Sequence, residues 1–318
     1  MKVVVLRSLA GPAVAELATE CDVVQFGDGF ASPGFDAVAS ETVAILATGS
    51  DRIDGRALDR MPRLRLVANV AVGTDNVDTA ACAARGVVVT NTPDVLTDAT
   101  ANLAFGLLLA AARRIVEGDR YVRAGNFRGF DANLLVGTPI HGRTLGIVGM
   151  GRIGRAMARR GRGFGMRIVY AQRNRLDPAI EEDLDASFLD VDTLFRESDF
   201  VSLHCPKTPD TVGLASEARL RSMKPGSIFV NTSRGACVDE PALIRVLHEG
   251  PLRAAGLDVF ADEPNVPEEL FAMDNVVLLP HVGSAETHTR AAMSALAVAN
   301  VRAVLAGRTP LTPVTAGG

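Results

Sequence analysis

A chain of 318 residues, 47% of them hydrophobic, is long enough to bury two cores of ordinary size, so two domains are expected. Its 33 basic and 37 acidic residues leave a net charge of −4 with the signs mixed along the chain, which argues against nucleic acid or an anionic membrane surface as the main partner. The four cysteines, Cys21, Cys82, Cys205 and Cys237, are widely spaced without a CxxC pair, so neither a metal site nor a disulfide framework is expected and a reducing cytoplasm fits best.

The N-terminal "MKVVVLRSLAG" has only a short apolar run before Arg7, too short for the core of a secretory signal. Next come short apolar, mostly β-branched runs: "KVVVL" at 2–6, "DVV" at 22–24, "VAIL" at 43–46, "LRLVANV" at 64–70 and "GVVVT" at 86–90. Segments of helical length separate them, which implies crossover connections and a parallel sheet. The apolar stretch "LAFGLLLAAA" at 103–112 covers about half a membrane span and ends in Arg113 and Arg114, so it reads as a buried helix near 98–117 joining two domains. The strand rhythm then resumes: "TLGIVG" at 144–149, "RIVY" at 167–170, "FVSLH" at 200–204, "SIFVN" at 227–231, "AAGLDV" at 254–259 and "VVLLP" at 276–280. A last helical pattern at 284–307 comes too late to start a third domain and is expected to pack back on the first. The expected fold is α/β, with two doubly wound parallel-sheet domains, one flavodoxin-like and one a Rossmann-like nucleotide-binding sheet. Residues 1–97 plus 285–318 form the first and residues 98–284 the second.

Gly149, Gly151 and Gly154 in "VGMGRIG" follow an apolar strand and open a helix, the context in which a GxGxxG spacing acquires meaning. The first glycine permits a tight turn, the second lets the backbone approach a pyrophosphate, and the third lets helix and strand pack closely. The helix N-terminus supplies free amides to the phosphates. A purely structural glycine turn is the alternative. About twenty residues on, an NAD site normally presents an acidic residue to the ribose. Here "RIVY" is followed by Ala171, Gln172, Arg173, Asn174 and Arg175, which suits the 2′-phosphate of NADPH; NADH is the alternative, with the arginines solvating a surface turn.

Three charged residues fall just past strand ends in the second sheet, where an open α/β sheet puts its ligands: Arg234, Glu263 and His281. Each has an ordinary reading. Arg234 would pair with Asp239, Glu263 would cap the turn at Pro264, and His281 would be a satisfied histidine at a strand end. As a set they supply what reduction of a 2-keto acid needs: a guanidinium to hold the carboxylate, an imidazole to deliver a proton, and a carboxylate to orient that imidazole.

The chain resembles the D-isomer-specific 2-hydroxyacid dehydrogenases over nearly its full length, in "VGTDNVD" at 72–78, "TDATANLAFGLLLAAAR" at 97–113, "TLGIVGMGRIG" at 144–154, "HCPKTPDT" at 204–211, "NTSRGACVDE" at 231–240, "AAGLDVFADEP" at 254–264 and "LLPHVGSA" at 278–285. The resemblance implies that Arg234, Glu263 and His281 are catalytic, that the amides of Val72 and Gly73 take the substrate carboxylate in a cleft between domains, and that Ser284 lies near the substrate. It also implies that Thr100, Arg152, Ile153, Cys205, Pro206, Thr211, Ser233, Asp258, His281 and Gly283 line the cofactor. "PDVLTDAT", the basic loop after "RIVY" and the C-terminal helix are most similar to the glyoxylate/hydroxypyruvate reductases, so reduction of one of those acids by NADPH is expected. An NAD-dependent D-2-hydroxyacid or phosphoglycerate dehydrogenase is the alternative, and a non-catalytic nucleotide-sensing corepressor the remotest one.

Three features depart from the family pattern: Lys207 replaces a usual leucine, Cys237 a usual aliphatic residue or glycine, and the chain has no tryptophan. Phe127 and Phe130 would wall the pocket where some relatives use a tryptophan from a partner subunit. The apolar surface at 103–112 and 119–143 suggests a homodimer. Of the remaining histidines, His248 suits a helix C-terminus, His141 and His288 read as surface residues, and His204 ends a strand near the expected cofactor.

Overall fold

The computed structural model describes residues 1–315, which fall into two compact units, residues 1–96 with the segment from Ser284 onward, and residues 97–283. Both borders lie one residue earlier than expected, placing Thr97 in the second unit and Ser284 in the first.

The first unit holds β1 (Lys2–Val5), β2 (Asp22–Gln25), β3 (Thr42–Ala47), β4 (Leu66–Asn69) and β5 (Val88–Thr90), all parallel, in the order β2-β1-β3-β4-β5. That is the flavodoxin-like order, in which the chain reverses direction beside its first strand. Val3, Val4, Val5, Ala44, Ile45 and Leu46 are fully buried because helices cover both faces, which is why these strands read as continuous apolar runs rather than alternating ones. The C-terminal helix Thr287–Leu305 returns to this unit and packs on β3, β4 and the helix Ala13–Leu17. Beyond it, buried Asn300 accepts the Leu311 and Thr312 amides at 2.8 and 3.2 Å and so ties down the chain after the helix.

The second unit holds β6 (Thr144–Val148), β7 (Arg167–Ala171), β8 (Ala186–Phe188), β9 (Phe200–Leu203), β10 (Ser227–Asn231), β11 (Leu252–Leu257) and β12 (Val276–Leu278), again all parallel, ordered β12-β11-β10-β9-β6-β7-β8. Counted from β6, this is the dinucleotide-binding order with one further strand at its edge, and the winding reverses between β6 and β9. β8 was not expected, since Ala-Ser-Phe is short, lacks a β-branched residue and pairs only at the edge of β7.

The helix expected near 98–117 is two helices, Thr97–Arg113 and Ile115–Arg123, bent by 62° at Arg114, which takes a left-handed backbone with φ 54°. The bend follows from the incoming chain at 137–138. The Thr138 amide takes the Ala112 carbonyl at 2.8 Å, and Gly137 lies so close to it that no side chain would fit. Among the described residues no single helix is long and apolar enough to cross a membrane; the bent pair passes by length and composition only, and Ala104, Leu107, Leu108 and Ala112 of its first half are buried in the protein core. Gly256 in β11 lets that helix approach the sheet, since a Cβ there would sit 3.0 Å from the Leu107 Cβ.

Candidate active site

Because all seven strands of the second unit run the same way, the segments after them emerge along one edge of the sheet. Gly149 follows β6, Gln172 follows β7, His204 and Cys205 follow β9, Ser233 and Arg234 follow β10, Asp258 follows β11, and His281 follows β12. Six neighbouring strands therefore deliver these residues to one edge of the sheet, the edge at which open parallel sheets bind ligands.

At the reversal point, Gly149 has φ +93°, and a Cβ there would lie 2.7 Å from both the Cys205 nitrogen and the His204 carbonyl carbon, so only glycine fits between β6 and β9. Gly154 faces the Gly149 carbonyl with no room for a side chain, and packs the helix Arg152–Gly163 onto β6. Gly151 differs from both, because a Cβ there would meet nothing within 4 Å. It is the N-cap of that helix and makes no side-chain cap, leaving the helix N-terminus open to an anion. A tight turn, a closely packed third glycine and an open second one fit a bound dinucleotide.

Asp258 supports that fit from another strand. It is 1% exposed, one carboxylate oxygen accepts the Val282 amide at 2.8 Å, and no hydrogen bond of normal geometry reaches the other. Burial raises its pKa, against the amides of Val282 and Gly283 and the nearby His281. Thr100 and Gly283 lie beside the unsatisfied oxygen, since a Cβ on Gly283 would be 3.3 Å from it and 3.4 Å from the Thr100 methyl. A buried acceptor without a donor is the kind of group a ligand N–H would satisfy.

The three residues expected to be catalytic lie in the neighbouring loops. His281 Nδ1 lies 2.7 Å from Glu263 Oε2, and the His281 amide donates to the Asp258 carbonyl at 2.9 Å. His281 takes a left-handed backbone with φ 55°, uncommon for a side chain of this size and held here by bonds to Asp258 on both sides of the turn. Glu263 Oε1 accepts the Phe260 amide at 2.9 Å, so the carboxylate is bound at both oxygens. Burial pushes the Glu263 pKa up, but the hydrogen bonds from His281 and Phe260 and the charge of Arg234 outweigh it and hold the carboxyl below its ordinary value.

Arg234 joins this group through the backbone. The next residue, Gly235, lies against the Phe260 carbonyl so closely that any Cβ would overlap it, and this draws the β10 loop onto the β11 loop. The guanidinium donates to the Ser233 carbonyl at 2.8 Å, and Asn231 fixes the turn by donating to the Arg234 carbonyl at 3.0 Å. Buried Glu240 braces the same loop by accepting the Ala261 amide at 3.1 Å, a role not visible in the sequence. Asp239 caps the helix Glu240–Glu249 through the Ala242 amide at 3.1 Å.

The loop after β7 is built differently. Arg175 makes a two-pronged pair with Glu181 at 2.9 and 2.8 Å, and Tyr170 donates to the same carboxylate at 2.6 Å. The Arg175 and Tyr170 hydrogen bonds pull the Glu181 pKa down to about 2. Arg173 and Asn174 are exposed, and among the described residues no side chain pairs with the Arg173 guanidinium. Gln172, where a carboxylate would hold a ribose, accepts the Met150 amide at 3.0 Å and so links this loop to the glycine turn.

Against known proteins, residues 105–283 match the family model for the NAD-binding domain of D-isomer-specific 2-hydroxyacid dehydrogenases. The chain belongs to the D-isomer-specific 2-hydroxyacid dehydrogenases. It is similar to the glyoxylate reductase of Thermococcus litoralis, 49% identical over 85% of this chain and 82% of that one, and to that of Pyrococcus horikoshii, 44% identical over 98% and 95%. Among solved structures it is similar to the NADPH-dependent glyoxylate/hydroxypyruvate reductase of Sinorhizobium meliloti in complex with NADP and malonate, with a TM-score of 0.88, 35% identity and coverage of 99% and 96%. The protein is thus an oxidoreductase of this family, in its glyoxylate reductase subgroup, with a nicotinamide-nucleotide domain.

The other residues expected of a 2-hydroxyacid dehydrogenase fall into two groups. In the second unit, Thr211 accepts the Thr208 amide at 2.8 Å and donates to the Pro206 carbonyl at 2.6 Å, closing the loop after Cys205. Ser233 is buried and bonded to Asn231, and exposed Lys207 sits in the Pro206–Thr211 loop. Val72, Gly73 and Ser284 belong to the first unit. There Asn91 and Asn69 donate to the Val72 and Gly73 carbonyls at 2.9 Å each.

Proposed function

We propose that the protein reduces a small 2-keto acid, glyoxylate or hydroxypyruvate, to the D-2-hydroxy acid with NADPH. The observation that carries this reading is the 2.7 Å pair of His281 and Glu263 beside Arg234, on the sheet edge that bears the glycine turn. Gly149, Gly151, Arg152, Ile153 and Gly154 would hold the pyrophosphate, and Thr100, Cys205, Pro206, Thr211, Ser233, Asp258 and Gly283 the rest of the nucleotide. When bound, the cofactor supplies a hydride to the carbonyl carbon.

The protein's part is the proton and the charge. Glu263 accepts the Nδ1 hydrogen of His281, which fixes the ring's orientation and leaves Nε2 to carry the exchanging proton. Glu263, held ionised, orients the ring so that Nε2 can donate to the carbonyl oxygen as negative charge forms there. Arg234 presents a planar pair of donors to the substrate carboxylate. In a His281→Ala variant, hydride transfer in a single turnover is expected to slow by about 10²–10⁴-fold while NADPH binding is kept. Turnover at the wild-type rate would remove His281 from the mechanism.

The NADPH preference rests on Gln172 in place of a carboxylate and on exposed Arg173, which has no acidic partner among the described residues. NADH use is the second reading, favoured by one observation: Arg175 is already committed to Glu181. A homodimer is proposed through the segment containing Ile115, Val122, Phe127, Phe130 and Val136, all exposed, with Phe130 at 95%. Sedimentation showing a stable monomer at micromolar concentration would contradict it.

A further inference from the structure

Three successive carbonyls in the loop after β4 are each held by a donor from elsewhere in the first unit. Thr92 gives its amide to the Ala71 carbonyl at 2.9 Å, and the Asn91 and Asn69 side chains donate to the Val72 and Gly73 carbonyls at 2.9 Å each. The peptide bonds of this loop are trans, so each N–H points away from the carbonyl of its own peptide plane. The bond to Ala71 therefore aims the Val72 amide, and the bond to Val72 aims the Gly73 amide. Those are the two amides assigned to the substrate carboxylate, and residues 91 and 92 set the direction of both. We propose that Asn91 is a positioning residue for that carboxylate, and that residues 311–314 hold Asn91 in place.

Asn91 follows β5, the edge strand of its sheet, whose outer side needs backbone partners. The end of the chain supplies them. Thr90 pairs antiparallel with Pro313, the Val314 amide donates to the Val89 carbonyl at 2.8 Å, and the Asn91 amide donates to the Thr312 carbonyl at 3.3 Å. The Thr312 hydroxyl closes the grip by donating to the Asn91 carbonyl at 2.7 Å, and it accepts from fully buried Asn300 at 2.8 Å. Asn300 sits on the helix Thr287–Leu305, so a line of side-chain bonds runs from that helix through Thr312 and Asn91 to the Val72 carbonyl.

The Asn91 amide group lies on the carbonyl side of the Val72–Gly73 peptide, opposite the N–H, so it acts on direction and does not touch the carboxylate itself. Direction matters because an N–H···O bond weakens steeply once its angle falls below about 120°. A peptide plane released from Asn91 is free to turn, and it loses the anion while the sheet beneath it stays intact. On the other flank Asn69 is paired with Asn76, which donates to the Thr48 and Asp51 carbonyls at 3.0 Å each, so the plane after Gly73 is anchored separately to the loop after β3. Losing Asn91 therefore loosens the carboxylate contact alone. Such a contact is made in the ground state and the transition state alike, so its loss falls on KM for the keto acid and spares kcat.

The test measures kcat and KM for glyoxylate and for NADPH in the full-length wild type and in Asn91→Leu, Thr312→Val and Thr312→Ser. Asn91→Leu removes the donor without adding charge, and is expected to raise KM for glyoxylate about tenfold with kcat and KM for NADPH each within about twofold. Thr312→Val acts one step further back and is expected to raise KM for glyoxylate about threefold, whereas Thr312→Ser keeps the hydroxyl and is expected to show the wild-type value. An unchanged KM for glyoxylate in both Asn91→Leu and Thr312→Val would overturn the proposal. A parallel rise in KM for NADPH, or a fall in kcat alone, would overturn it too, because general loosening gives that pattern. Thr312→Val decides the matter if Asn91→Leu fails to fold. The inference rests on the reading of Val72 and Gly73 as the carboxylate site of a keto-acid reductase: a wild type that turns over neither glyoxylate nor hydroxypyruvate contradicts that reading, whereas turnover with KM indifferent to both substitutions contradicts the positioning role.

Discussion

The loops after β10, β11 and β12 and the loop after β7 sit on one edge of one sheet, but they are built to different standards. In the first, Gly235 is pressed against the Phe260 carbonyl, both Glu263 oxygens are bonded, and His281 is held in a left-handed turn by Asp258. In the second, Arg173 and Asn174 are exposed, Gln172 is tied to the Met150 amide and Arg175 to Glu181. On the proposed function the difference would separate chemistry from recognition: the groups assigned to proton transfer are fixed by their neighbours, while the arginine assigned to cofactor choice stands in solvent, where substitution does not disturb the core.

If that contrast is real, substitutions in the two loops must fail in different kinetic parameters. After the loss expected of His281→Ala, the next largest effect is expected from Arg234→Lys, which keeps the charge and loses the planar pair of donors; kcat/KM for the keto acid should fall by about 10²–10³-fold with KM for NADPH unchanged. Next is Glu263→Gln, in which the imidazolium loses its carboxylate partner. About a 10–10²-fold loss of kcat is expected. Arg173→Ala should raise KM for NADPH about tenfold and leave that for NADH within about twofold, whereas Arg175→Ala should change both alike, because its partner is Glu181. Equal effects of Arg173→Ala on the two cofactors would make the arginine a solvated bystander.

The last prediction concerns stability rather than rate. His204 shares a 2.8 Å contact with buried Ser202, and burial lowers its pKa from 6.5 to about 4. The unfolded chain therefore binds a proton in that window that the folded chain does not, so stability falls as pH drops from 6.5 toward 4, by up to about 1.4 kcal/mol per unit. His204→Asn should flatten that part of the profile in denaturant titrations. An unchanged slope would mean that other groups carry it.

Much of the fold was legible because central parallel strands, buried on both faces, must be continuous apolar runs. The exception, β8, is an edge strand of Ala-Ser-Phe with little to signal it. The bend at Arg114 was illegible because its cause, Thr138 taking the Ala112 carbonyl, lies far along the chain from the helix. The strand-end rule located Arg234, Glu263 and His281, but the bond from His281 to Glu263 and the overlap at Gly235 depend on how two loops meet. At the ribose end the order of residues showed a missing carboxylate. It did not show that Gln172 would bond to Met150, or that only one of the two arginines would be committed.

The central claim is an NADPH-linked reductase of small 2-keto acids, and the most direct test is the initial rate of cofactor oxidation at neutral pH with NADPH and with NADH, each against glyoxylate, hydroxypyruvate and pyruvate. The account predicts fast turnover with NADPH and the two small polar acids, with kcat/KM for NADPH at least about tenfold above NADH. A preference for NADH would contradict the ribose-end assignment, and no turnover with any of the three acids would contradict the substrate.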